Sequence, residues 1–118
     1  GVNEKMAEFI NPIAMLGDQM TKFTTEIGFK GMQNPDEVGA AAVDYLRVAG
    51  HLVFGYLFAR MAQVALREIA AGNTDPFYGA KLQTARFYFA KLFPETATLM
   101  RTARAGSKVL MDTDLALA

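Results

Sequence analysis

Cysteine is absent from all 118 residues. That excludes disulfides, thiolate metal sites and cysteine nucleophiles together, and it fits a reducing compartment. Histidine occurs once, at position 51. A carboxylate-bridged di-iron bundle needs a Glu three residues before a His on each of two helices, and the residue three before His51 is Val48, so ligand count excludes that chemistry. Neither charge sign is in excess, with twelve Lys and Arg against twelve Asp and Glu. The electrostatic footprint of a nucleic-acid binder is therefore missing, and the mild excess of cations after residue 76 is too dilute to track phosphates. The longest charge-free run in the central helical segment is the twelve residues Val48 to Ala59, well short of the ~20 that a bilayer span requires. No charged leader precedes an apolar stretch with a small-residue cleavage site. The expectation is a cytoplasmic chain with no nucleic acid, membrane or metal among its partners.

Helix signals fill the space that strand signals leave empty. Asn11-Pro12 has the form of an N-cap followed by a proline at N1, and Ile13, Leu16, Met20, Phe23 and Ile27 recur at steps of three and four, one face of a helix. This predicts a first helix from residue 11 to about Met32. Asn34-Pro35 repeats the punctuation, with Asp36 and Glu37 placed to favour the positive end of the helix dipole. A second helix is expected from there to Ala71, closed by Gly72 in a left-handed conformation. Asp75-Pro76 opens a third, striped by Tyr78, Leu82, Ala85, Phe89 and Leu92. Pro94 interrupts it, but the spacing resumes through Thr96, Leu99, Ala103, Gly106 and Leu110, which predicts a kinked rod and not a new helix. Residues 1–10 are expected to be a linker or the end of a preceding helix, residues 11–112 the domain, and residues 113–118 a frayed tail. The fold class is all-α: an antiparallel up-down bundle of three long helices, the third kinked at Pro94.

The middle helix is apolar around most of its circumference. One stripe holds Val43, Leu46, Gly50, Val53, Leu57, Met61 and Val64. Another holds Tyr45, Val48, Leu52, Gly55, Ala59, Ala62, Leu66 and Ile69. Three rods cover only part of such a helix, so the surplus face implies a further partner, with Gly50, Gly55, Ala59 and Ala62 allowing close backbone approach there. Within this apolar setting Arg47, Arg60 and Arg86 need anionic partners. Asp44, three positions from Arg47, is a local candidate, and inter-helix or inter-subunit ion pairs are expected for the other two. His51 reads as a core or interface histidine. The aromatic run Phe87, Tyr88 and Phe89 with Phe93 reads as core, its outward members serving the same interface. Glu95 occupies a first turn, where acids are common, and nothing marks it as half of an acid and base pair. The candidate interface or buried polar residues are thus Arg47, His51, Leu57, Arg60, Arg86 and Phe89. The residues define no catalytic, cofactor or metal position.

Four blocks carry a resemblance: AVDYLRVAGH (Ala42 to His51), GYLFARMA (Gly55 to Ala62), FYGAKLQTARFYF (Phe77 to Phe89) and LFPET (Leu92 to Thr96). In order and spacing they resemble the extra C-terminal helical domain of certain bacterial acyl-CoA dehydrogenases, including enzymes similar to 3-methylmercaptopropionyl-CoA dehydrogenase, over roughly residues 11–112. The resemblance implies a longer parent oxidoreductase that binds FAD and dehydrogenates an acyl-CoA thioester between its α and β carbons, in fatty acid metabolism. The parent's catalytic glutamate and flavin-contacting segments match no position in this chain, so FAD belongs to the parent and no cofactor to this domain. The implied role is packing on the dehydrogenase core, oligomer assembly or closure of the substrate site. Two alternatives remain: a free-standing helical dimerisation module, and a bundle that holds an apolar ligand or acyl chain with Arg60 or Arg86 as anion anchor.

Overall fold

A computed structural model describes residues 1–106. These residues form helices joined by short turns, as α1 (Val2–Lys5), α2 (Ala7–Gln33), α3 (Asp36–Ala70), α4 (Pro76–Phe87), a π-helical turn (Tyr88–Leu92) and α5 (Glu95–Arg104). The long rod α3 runs antiparallel to α2 on one side and to the bent rod α4–α5 on the other. Leu110 and the proposed tail lie outside the described residues.

The expected start of the first helix at Asn11 is corrected. Pro12 stands inside α2, which begins at Ala7. An internal proline costs about 3 kcal/mol, but stopping there would expose Met6 and Phe9, which are 4% and 1% accessible. Burial of two such side chains stabilises by roughly 1.5–3 kcal/mol each, so continuation wins. The second punctuation mark behaves as expected: the Asn34 side chain accepts from the Asp36 amide at 3.1 Å, and α3 begins at Asp36. At its far end Gly72 takes φ +92°. Its N–H donates to the Ile69 carbonyl at 3.1 Å and the Asn73 N–H to that of Glu68 at 3.0 Å, the paired bonds of a Schellman motif. Asp75 then caps α4 by accepting from the Phe77 amide at 2.9 Å.

The third rod bends between Tyr88 and Pro94. Pro94 has no N–H for the Ala90 carbonyl and its ring crowds that group. The chain answers by widening one turn, so that the Phe93 N–H reaches the Tyr88 carbonyl at 2.8 Å, five residues back. One extra residue in the turn rotates the buried face. Tyr88 and Phe93 are buried, whereas Leu92, placed on the core stripe by periodicity, is 49% exposed. Beyond the bend Thr96, Leu99, Met100 and Ala103 are buried.

Two apolar clusters fill the bundle. One centres on Leu16, Met20, Phe23, Val48, Tyr88, Phe93 and Leu99, the other on Met6, Phe9, Ala59, Ala62, Leu66, Leu82 and Ala85. Phe58 and Phe89 touch both. Gly55, Ala59 and Ala62 are buried inside this core, which corrects their assignment to an outer contact. By length and composition α3 could cross a membrane. Arg47 and Arg60 lie in its middle stretch, where a bilayer would penalise each by about 2.5–3.5 kcal/mol, and its inner face is taken up by the bundle.

Candidate functional site

The polar residues that come together lie across the elbow between α3 and the bent rod. Arg47 and His51 are one helical turn apart on α3, and Pro94 places Glu95 in the first turn of α5 facing them. Arg47 Nη2 donates to Glu95 Oε1 at 2.7 Å, and His51 Nε2 meets Glu95 Oε2 at 2.9 Å. The widened turn swings Tyr88 inward until its hydroxyl lies 3.0 Å from His51 Nδ1 and 3.0 Å from the His51 carbonyl oxygen.

The proton inventory limits this cluster. A tyrosine hydroxyl has one proton. If it goes to the His51 carbonyl, Nδ1 must donate to the Tyr88 oxygen while Nε2 donates to Glu95, and the ring is an imidazolium. If it goes to Nδ1, the ring is neutral with its proton on Nε2. Both arrangements retain the bond to Glu95. Hydrogen bonding from His51, with the charges of Arg47 and His51, holds the Glu95 carboxyl below its usual range against a smaller opposing effect of desolvation. Burial pushes the Tyr88 hydroxyl up to about 12. A tyrosine so placed, 4% accessible, is withdrawn from the surface and stays un-ionised near neutral pH. The cluster works as a polar latch between two rods.

Arg47 therefore pairs with Glu95, in place of the local candidate Asp44. Arg86 reaches Glu8 of α2 at 2.8 Å. Phe89 packs against Phe9, Tyr88 and Phe93 with ring centroids 5.9, 5.3 and 5.3 Å away. Arg60 is exposed and makes no ion pair among the described residues. It borders an open groove of about 310 Å³ lined by Met6, Ile10, Ile13, Ala14, Tyr56, Ala59 and Gln63. Leu57 stands on the outer face of α3. The sequence places Tyr88 in an aromatic core run, without a polar role, and Glu95 only in the first turn of a helix. The available signal was the placement of the single histidine on the apolar central helix, since a buried imidazole requires polar partners on the neighbouring rod.

The outer face of α3 is the second feature. Val43 is 70% exposed, Leu46 72%, Val53 59%, Phe54 56%, Leu57 54% and Val64 50%. All fall within an arc of roughly 100° on the helix, and the arc holds no charged residue between positions 43 and 64.

Among the described residues no three His, Asp or Glu side chains converge to hold a metal. The donor set does not suit a flavin dinucleotide either. Its pyrophosphate requires converging amides or cations, whereas the groove of about 440 Å³ between α2 and α3 offers Thr24 and Tyr45 among apolar residues such as Phe23, Ile27 and Leu46. The start of α3 carries Asp36 and Glu37, which repel an anion.

No curated protein matches this chain. The family model described as acetyl-CoA dehydrogenase C-terminal like matches residues 2–114, and the chain belongs to that family.

Proposed function

We propose that this chain is the non-catalytic C-terminal accessory domain of an FAD-dependent acyl-CoA dehydrogenase, and that it serves assembly by laying the outer face of α3 against another protein surface. The parent reaction is dehydrogenation of an acyl-CoA thioester in the cytoplasm, and the chemistry belongs to parts of the enzyme outside this domain. The observation that carries the reading is the uncovered stripe of Val43, Leu46, Val53, Phe54, Leu57 and Val64. Monomeric proteins rarely leave so continuous an apolar surface in water. Ligand binding has less support, because the grooves are open to solvent and a small-molecule site buries most of its occupant.

The test is the product of the complete reading frame that carries this segment. A product several times longer than 118 residues, with flavin absorption, supports the reading; a colourless product of about this length overturns it. In that product Leu57→Asp should lower the assembled fraction at least tenfold while far-ultraviolet circular dichroism is unchanged, since Leu57 touches little of its own bundle. Unchanged assembly would remove the outer face of α3 from the account.

A further inference from the structure

The uncovered stripe has an internal symmetry. Its positions 43, 46, 50, 53, 54, 57, 61 and 64 map onto themselves when the helix is reversed about its point midway between Val53 and Phe54. Val43 exchanges with Val64, Gly50 with Leu57 and Val53 with Phe54, while Leu46 falls opposite Met61, which is half-buried against the bundle's own core. An interface formed about a two-fold axis must be self-complementary in this way, residue i meeting j while j meets i. We infer that the outer face of α3 pairs with the same face of a second copy of this chain, antiparallel, with the two-fold axis passing between Val53 and Phe54. The inference rests on the proposed reading of that face as an assembly surface, and it names the partner.

Three observations favour a second copy. A side chain added at Gly50 would meet nothing within 4 Å, which leaves a hollow for the partner's Leu57 in this register, as a knob enters a hole. Reversal also sets Asp36, in the first turn of α3, within about one turn along the axis of the partner's Arg67, whereas a parallel pair would stack acid on acid. Finally, six side chains at 50–72% exposure offer roughly 600 Å² per copy, or about 1,200 Å² for the pair, the lower bound of a stable interface. Association is therefore expected to depend on concentration.

The absence of cysteine from these 118 residues makes each introduced thiol unique within the domain. Val43→Cys and Val64→Cys are made separately in the full chain at exposed positions, with a mass tag on one. A bismaleimide is chosen to match the ~8–10 Å separation of packed helix axes. The two sites are ~32 Å apart along one helix, so the antiparallel register predicts cross-linked dimer only when the variants are mixed, with little from either alone. Sedimentation of the unmodified product of the complete reading frame should show a mass that rises twofold with concentration. Cross-linking within the Val43→Cys sample alone indicates a parallel pair and overturns the inference. A monomer at every concentration, with no cross-link in the mixture, also overturns it. Loss of assembly in Leu57→Asp would in that case leave the broader reading standing with a different partner on the same face.

Discussion

Replacing Gly55 by alanine sets two effects of known size against each other. In the interior of a helix alanine is favoured over glycine by about 0.8–1 kcal/mol, so the substitution would stabilise α3 wherever the new methyl has room. At Gly55 it does not: a Cβ there would lie 3.2 Å from Phe93 Cε2 and 3.3 Å from Ile13 Cγ1, inside the ~3.5–4.0 Å optimum for carbon contacts. The Phe93 ring has little freedom to retreat, because Phe89, Tyr88 and His51 surround it at centroid distances of 5.3, 6.0 and 6.4 Å. Overpacking of this kind costs about 1–3 kcal/mol, which leaves a net loss of about 1 kcal/mol after the propensity gain. For a domain of this size that lowers Tm by about 4–8 °C. Gly39→Ala supplies the control, since it lies in the same helix with nothing within 4 Å of the added carbon, and its Tm should rise. Thermal and urea unfolding followed by circular dichroism read both variants. A Tm for Gly55→Ala that rises with that of Gly39→Ala would refute the claim that Gly55 sets the distance between α3 and the bend.

The latch gives two further predictions. Tyr88→Phe removes the hydroxyl shared between His51 Nδ1 and the His51 carbonyl and should destabilise by about 1–3 kcal/mol, the range for a polar group left unpaired in a largely buried site; a urea midpoint within error of the parent's would show that the latch contributes nothing. The second concerns pH. The Glu95 carboxyl is held low by its hydrogen bond to His51 and the charge of Arg47, so its contribution is complete above the ordinary glutamate value of about 4.3 and is lost as pH falls through the lower folded value. Glu95→Gln should therefore flatten the acid limb of the stability curve, and parallel limbs would contradict that assignment. Tyr88 acts in the opposite direction: the folded state holds its proton more tightly, so its contribution is complete below pH 10 and disappears as pH rises towards about 12.

Much of the architecture was legible because local chemistry and periodicity agree. Asn34-Pro35, Gly72 and Asp75-Pro76 each bound a helix by a mechanism visible in the residues, and the surplus face of the central helix follows from its all-round apolarity. Asn11-Pro12 misled because a cap motif is a local preference of about 0.5–2 kcal/mol, and burial of Met6 and Phe9 overrides it. The correction was present in the spacing: Met6 and Phe9 extend the stripe of Ile13, Leu16 and Met20 upstream at the same alternating steps. The widened turn was not legible. Ala85 to Thr96 is eleven residues whether counted through Phe89 and Leu92 or through Tyr88 and Phe93, so the two phases coincide at both ends. Only the crowding by Pro94 selects between them. The latch was hidden for the same reason, because it depends on which of two adjacent aromatic residues turns inward.

That coincidence constrains how the third rod can change in length. Deleting one residue between Tyr88 and Phe93 would turn the buried spacing of Ala85, Tyr88, Phe93 and Thr96 from 3-5-3 into 3-4-3, the regular α-helical repeat. Glu95 would stay on the side facing His51, and Thr96, Leu99, Met100 and Ala103 would stay buried. A deletion later in α5 has no widened turn to absorb it and would rotate the rest of the rod by about 100°, whereas one in the turn after Gly72, outside the helices, shifts no buried face. Length variants of this domain should accumulate at the α3–α4 turn and at the widened turn, and be excluded from the rest of the third rod.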